Sequence, residues 1–234
     1  MNYFYYPALF DVYETITLPE EESHHALRVL RLTIGDTIVL INGLGQKAEG
    51  KILFQEGKKI KVQFYKIENQ EPPRYKITIA LAQLKKRERM EWFVEKAVEL
   101  GASEIIVFIS EHTEKKKADL IRLHKIAISA LKQSGNLWMP YIKTDNAFEQ
   151  LVNEPFDGIK FIAHCEEGIK SLLKDAYQAK ENVLILIGPE GDFSSKEIDL
   201  ALKNNFIPVS LGDLRLRAET AALTALITLK VLSE

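Results

Sequence analysis

Two glycine-containing loops near the C-terminus hold the residues best suited to chemistry. In Leu186-Ile-Gly-Pro-Glu-Gly-Asp-Phe-Ser-Ser195 an apolar run stops at Ile187. Glycines 188 and 191 let a ligand approach the backbone closely, and Ser194 with Glu197 has the spacing of a capping box. In Ser210-Leu-Gly-Asp-Leu-Arg-Leu-Arg-Ala-Glu-Thr220 two arginines alternate with leucines where a turn would normally be polar. Leu211, Leu214 and Leu216 predict an apolar slot beside fixed cations, which suits a flat heterocycle next to an anionic or polarised substrate. The plain alternatives are an ordinary strand–turn–helix connection for the first loop and, for the second, a surface loop whose arginine stems lie along apolar surface. Gly-Pro-Glu-Gly lacks the Lys-Ser/Thr of a P-loop and is not Gly-x-Gly-x-x-Gly.

Three further clusters carry charge. Lys85-Lys-Arg-Glu-Arg89 opens an expected helix with cations, against the sign of the macrodipole, so an RNA backbone or plain solvation must offset the cost. His24-His-Ala-Leu-Arg-Val-Leu-Arg31 places Arg28 and Arg31 one turn apart, in a segment that also carries Tyr3, Phe4, Tyr5 and Tyr6. Aromatics interleaved with arginines clamp single-stranded RNA, although such aromatics also build cores. Glu111-His-Thr-Glu-Lys-Lys-Lys117 reads as a solvated loop after a strand. No Ser/His/Asp or Cys/His arrangement stands out.

The elements that must position these loops fall into two regions. Alternation over 36–41 and 59–64, with turn residues at Asn42-Gly43, Gly45 and Gly57, predicts strands in residues 1–70, with one short helix over 20–30. Pro72-Pro73 resists both helix and central strand and marks a boundary, giving domains 1–72 and 73–234. Beyond it, apolar runs at 76–82, 104–109, 159–164, 183–187 and 206–211 alternate with helical stretches at 87–100, 117–134, 167–180, 194–204 and 219–232. Trp92, Phe93, Ala97 and Leu100 are expected on one helix face, with Gly101 as the stop. That pattern predicts an α/β fold with a parallel sheet covered on both faces, behind a small β domain. Ligands of such sheets bind beyond the C-terminal strand ends, where both glycine loops fall.

Composition narrows the function classes. The 234 residues carry 31 basic and 33 acidic side chains, a net charge of −2, so a basic nucleic-acid-coating protein is excluded and any RNA contact is a local patch. Residues 71–125 hold 12 basic and 9 acidic side chains and are the basic region. The single Cys165 excludes an internal disulfide framework, and the five histidines show no zinc spacing, so no metal is expected. No apolar run approaches the roughly 18 residues of a membrane span, and the N-terminus lacks a signal peptide's basic region. A soluble, cytoplasmic protein without a membrane partner is expected.

The sequence resembles the 16S ribosomal RNA (uracil-N3)-methyltransferase family, within the SPOUT class of S-adenosylmethionine-dependent RNA methyltransferases. The matching stretches are His25-Ala-Leu-Arg-Val-Leu-Arg31 with Gly35-Asp36, Lys86-Arg-Glu-Arg-Met-Glu-Trp92 with Glu95-Lys-Ala97 and Glu99-Leu-Gly101, Gln133-Ser134, Ile187-Gly-Pro-Glu-Gly191 with Phe193-Ser194, and Leu211-Gly212 with Leu216-Arg-Ala-Glu-Thr-Ala-Ala222. They occur in family order across nearly the whole chain, and the ordered set is specific.

The resemblance implies a PUA-like RNA-binding β-barrel over 1–72, a SPOUT domain with a C-terminal trefoil knot over 73–234, and a homodimer. A knot is not expected from folding rules alone. It implies S-adenosyl-L-methionine as cofactor, held near His164, Leu186, Ile187, Gly188, Pro189, Glu190, Gly191, Leu211, Gly212, Leu216, Ala218 and Thr220. It implies 16S ribosomal RNA of the small subunit as partner, contacted by His25, Arg28, Arg31, Lys86, Arg87, Arg89 and Arg215. Arg217 is the expected catalytic cation near uracil O2 or O4, and Glu219 is expected to position Arg217, take the N3 proton through water, or only favour its helix terminus. The sequence departs from the family at Asp192, where a second glycine is common, and at His112, Asn136 and Leu214, where arginines are common. A methyltransferase of the same class acting on another RNA site, or a non-catalytic RNA-binding module, are the rival readings.

Overall fold

Side chains on alternate positions of a strand leave on opposite faces, and in the N-terminal region one of those faces is apolar. The computed structural model describes residues 3–115, 117–178 and 180–233. The chain divides into two compact units, Met1–Pro72 with Ile128–Met139, and Pro73–Ala127 with Pro140–Glu234. In the first, β1 (Tyr3–Tyr5), β2 (Thr15–Thr17), β3 (Thr37–Ile41), β4 (Gln46–Glu56) and β5 (Lys59–Asn69) form a sheet in the order β1-β3-β4-β5-β2. Only β1–β3 is parallel; the other pairs are antiparallel. Phe4, Ile16, Leu40, Ile52, Val62 and Phe64 fill its core. The expected helix is α1 (Glu20–His24), which runs on into a π-helical turn over His25–Val29.

The segment 128–139, which the sequence places with the second domain, belongs to the first unit. Two features fasten it there. Gly45 N–H donates to the Leu137 carbonyl at 2.8 Å, and at φ +90° a Cβ on Gly45 would lie 2.3 Å from Trp138 Cζ2, so only glycine fits. Lys132 Nζ meets Glu22 Oε1 at 2.7 Å, with the Glu22 side chain 9 % exposed.

The second unit alternates strand and helix: β6 (Ile77–Ala82), α2 (Arg87–Glu99), β7 (Glu104–Ile109), α3 (Leu120–Ser134), β8 (Tyr141–Ala147), α4 (Phe148–Asn153), β9 (Ile159–Ala163), β10 (Ser171–Leu172), α5 (Leu173–Ala176), β11 (Val183–Ile187), α6 (Ser195–Lys203), β12 (Ile207–Ser210) and α7 (Ala218–Ser233). The helix α3 passes out of this unit after Ala127. The strands are parallel, in the order β10-β12-β9-β11-β6-β7-β8. Every residue of β6 and β11 is buried, as expected of central strands covered on both faces. One face packs Phe108, Phe148, Phe193, Ile198 and Phe206 into a single cluster, while α7 lies against α2, β6 and β11.

Two local expectations need correction. The helix expected over 167–180 is reduced to α5, and Ala179 within that stretch lies outside the described residues. Gly168 has φ +152°, and Ser171 and Leu172 pair with β12 as an edge strand instead. On α2 the buried face is Met90, Phe93, Val94, Ala97 and Val98, whereas Trp92 is 44 % exposed. Of the two readings left open for the N-terminal aromatics, Phe4 takes the core one: it is buried, with its ring 5.6 Å from His25. Gly101 does end α2, at φ +78°.

Candidate active site at the C-terminal sheet edge

The loop after β11 is tied at several points to the loops after neighbouring strands. Ser194 caps α6 in a reciprocal box with Glu197. Glu197, 7 % exposed, reaches further: its carboxylate accepts Ser110 Oγ–H at 3.1 Å and Glu111 N–H at 2.9 Å from the loop after β7. His112 Nδ1 lies 3.0 Å from the Asp192 carbonyl, an acceptor, so that nitrogen carries the proton. Glu190 accepts the Lys85 N–H at 3.2 Å from the loop after β6. Thus His112 fastens the loop after β7 to the loop after β11. The motif Glu111–Lys117 is in part this anchor; Lys116 within it lies outside the described residues.

Asp192 completes the set. Its φ of +63° is the left-handed region that glycine enters freely and Asp tolerates. Its carboxylate accepts Phe193 N–H at 2.9 Å and Cys165 N–H at 2.7 Å, joining the loop after β11 to the loop after β9. A Cβ on Gly188 would lie 3.2 Å from Asp192 and Phe193 atoms, and one on Gly191 3.2 Å from His112 Cβ. The two glycines therefore serve the tight course of the loop rather than a positive φ.

Two clefts of about 430 and 410 Å³ open at this edge. The first is lined by His164, Lys170, Leu211, Gly212, Leu214 and Leu216, the second by Arg89, Ile187–Glu190, Arg217 and Ala218; Ala163, Cys165, Arg215, Leu216 and Ala221 line both. The leucines of the second loop all line the first cleft, Leu211 and Leu216 half-buried and Leu214 81 % exposed. Lys170 Nζ donates to the His164 and Glu166 carbonyls at 2.8 and 2.6 Å, closing the loop after β9 into a tight wall. His164 Nδ1 is buried with no partner among the described residues. Burial, reinforced by the Lys170 ammonium, lowers the His164 pKa and so favours the neutral imidazole. Burial raises the Cys165 pKa, with the Asp192 carboxylate adding to it. These features suit S-adenosylmethionine: an apolar slot for a flat base, an orphaned ring nitrogen for a polar partner, and glycine backbone for close approach.

The expected site residues separate into groups. His164, Ile187–Glu190, Leu211, Gly212, Arg215, Leu216, Arg217 and Ala218 line the clefts. Gly191 stands behind them against His112; Leu186 lies in the sheet core, and Thr220 is exposed outside both linings. Glu219, 6 % exposed in the first turn of α7, pairs with Arg89 Nε at 3.4 Å, so the residue it positions is Arg89. That pair and the Arg87–Glu91 pair offset the cationic start of α2 that the sequence assigned to RNA or solvent. Lys86 is the exposed N-cap of α2. In the first unit His25 is half-buried, and Arg28 and Arg31 are exposed, Arg31 at φ +56°. Asn136 Oδ1 accepts the Trp138 N–H. Sequence reasoning missed Ala163, Cys165 and Lys170, although they lie at or just beyond the end of the third apolar run, where the strand-end rule places ligands. No group of three or more His, Cys, Asp and Glu suited to a metal occurs among the described residues.

The model of the RNA methyltransferase domain matches residues 70–230, and that of the RNA methyltransferase PUA domain matches residues 18–65. The Ribosomal RNA small subunit methyltransferase E of Buchnera aphidicola is 31 % identical over 95 % of this chain and 90 % of its own length. A probable rRNA-methyltransferase from Porphyromonas gingivalis, 39 % identical, superposes with a TM-score of 0.91 over 100 % of this chain and 98 % of its own. A Ribosomal RNA small subunit methyltransferase E from Neisseria gonorrhoeae, solved bound to S-adenosyl methionine, is 28 % identical with a TM-score of 0.89, covering 99 % and 98 % of the two chains.

Proposed function

The chain belongs to the RNA methyltransferase domain family, and from that membership we propose that it transfers a methyl group from S-adenosylmethionine to N3 of a uridine in 16S ribosomal RNA of the small ribosomal subunit. The observation that carries this reading is the pair of adjoining clefts built around Gly188–Glu190 and Leu211–Ala218. His164, Gly188, Pro189, Leu211, Gly212 and Leu216 are the residues that would hold the cofactor, which supplies a methyl group already activated by its sulfonium.

The chain's own task is alignment and charge. Uracil N3 attacks only as its proton leaves, and negative charge then grows on O2 and O4. Arg217, on the lining of the second cleft, is the cation placed to stabilise that charge. Glu219 fixes Arg89 on the same wall. Because N3 lies on the Watson–Crick edge, the target base enters unpaired or flipped out.

Residues 1–72, with 128–139 in the same compact unit, supply RNA affinity as a PUA-like domain, and the rest of 73–234 forms the transfer domain. His25, Arg28, Arg31, Lys86, Arg87 and Arg215 are the proposed RNA contacts. Exposed Trp92, Ile227 and Val231 on α2 and α7 support burial of those helices in a homodimer. The C-terminal trefoil knot is part of this proposal on the strength of the family resemblance; the chain after β12 continues into α7, which packs against β6 and β11. No helix among the described residues is long and apolar enough to cross a membrane, and a ribosomal substrate supports a cytoplasmic location.

Calorimetric titration of the purified protein with S-adenosylmethionine is the first test; micromolar binding near one per chain is expected. Loss of one methylated 16S uridine in a deletion strain, restored by the gene, then identifies the product. No cofactor binding, alone or with ribosomal subunits present, would sink the proposal.

A further inference from the structure

A third cleft, larger than either of those above at about 680 Å³, opens at the same sheet edge beyond β6 and β7 and shares no lining residue with them. Its volume is in the range of small-molecule sites, roughly 300–1,000 Å³. Gln83, the residue after β6, lines it and is 3 % exposed. Its backbone N–H donates to the Phe108 carbonyl and its Nε2 to the Leu84 carbonyl, both at 2.8 Å. Gln83 Oε1 is buried and has no partner among the described residues. With the amide nitrogen engaged, this side chain offers an acceptor.

The rest of the lining is preformed and of two kinds. Met90, Ala118 and Leu123 are buried apolar side chains. Glu91 holds Arg122 at 3.0 Å and also pairs with Arg87, and Asp119 accepts the Arg122 N–H at 3.0 Å, so both arginines are engaged in the wall. Lys115 and Lys117 are exposed and have no ion pair among the described residues. An acceptor, an apolar slot and cations on one cleft match a nucleotide, whose base edge carries N–H groups and whose phosphate carries the charge.

We propose that this cleft is a second site that holds one unpaired RNA nucleotide, its base donating an N–H to Gln83 Oε1 and its phosphate meeting Lys115 and Lys117. The choice of RNA rests on the proposed methyltransferase function. The site would seat a nucleotide other than the target, since the transfer clefts are lined by separate loops.

The test uses isotope-labelled full-length protein saturated with S-adenosylhomocysteine. It is titrated with the four nucleoside 5′-monophosphates and, separately, with inorganic phosphate, while amide shifts are followed. At least one nucleotide is expected to shift the amides of Gln83, Leu84 and 117–123, binding at least tenfold more tightly than phosphate. Gln83→Leu and Lys117→Ala should each weaken that nucleotide about tenfold. Lys117→Ala, an exposed change, keeps the test open if Gln83→Leu does not fold. Equal binding of phosphate, shifts absent from these amides, or cleft amides that broaden with protein concentration without nucleotide would each overturn the site, the last by showing a second copy there. Failure of the underlying function reads separately, as absent S-adenosylmethionine binding in the same preparation.

Discussion

The Asp192 carboxylate accepts the Cys165 backbone N–H at 2.7 Å, so one side chain joins the loops that follow β11 and β9. Asp192→Gly accommodates the φ of +63° but loses this tie; it should weaken S-adenosylmethionine about tenfold with little change in melting temperature. Asp192→Ala should lose the same affinity and also about 1 kcal/mol of stability to backbone strain. Calorimetry on both variants checks this, and unchanged affinity in Asp192→Gly would show that the tie does not shape the site.

The Arg89–Glu219 pair is a second fastening, with side chains 26 % and 8 % exposed. Glu219→Gln should cost about 1–3 kcal/mol in denaturant unfolding, because a partly buried guanidinium loses its counter-charge. A cycle with Arg89→Met should show coupling of about 1 kcal/mol, whereas additive effects would mean the two do not interact.

His164 gives the unit a pH dependence. Burial and Lys170 lower its pKa from the ordinary value of 6.5, so the unfolded chain binds this proton more readily than the folded one. Stability should therefore rise with pH from the folded pKa up to about 6.5 and be level above it for this group. Urea midpoints across pH 5–8 should show this slope, and His164→Asn should reduce it. An identical slope in the variant would assign the effect to another group.

Arg217→Ala should leave S-adenosylmethionine affinity within about tenfold while lowering methyl transfer by ~10² or more. Single-turnover transfer to small ribosomal subunits, with the cofactor saturating, separates the two effects. Unchanged turnover would remove Arg217 from the mechanism.

In the first unit, Lys132→Met strands the Glu22 carboxylate, whose side chain is 9 % exposed, and should cost about 2 kcal/mol. Adding Glu22→Leu should recover most of that loss. A double variant as unstable as the single would show that packing, not charge, matters there.

How much of this was legible depended on whether the signal was local. Apolar runs bounded by turns gave β6, β7, β9, β11 and β12, and the Ser194–Glu197 spacing gave the cap of α6, because hydrophobic period and capping act within a few residues. At 171–172 the same reading failed: Leu172 and Leu173 look helical, but an open edge beside β12 takes Ser171 and Leu172 as a strand. The edge strand β8, with Lys143, Thr144 and Asn146, is too polar to announce itself.

By itself, then, the sequence determined the strand–helix alternation and the two loops that bear Gly188, Leu211 and Arg217, since both follow from which residues leave water and where the backbone must turn. Only the tertiary structure decided that Glu219 serves Arg89 and that His112 and Asp192 tie loops together. Those are pairings between residues tens of positions apart, and no local pattern encodes a distance that exists only once separate strands lie side by side.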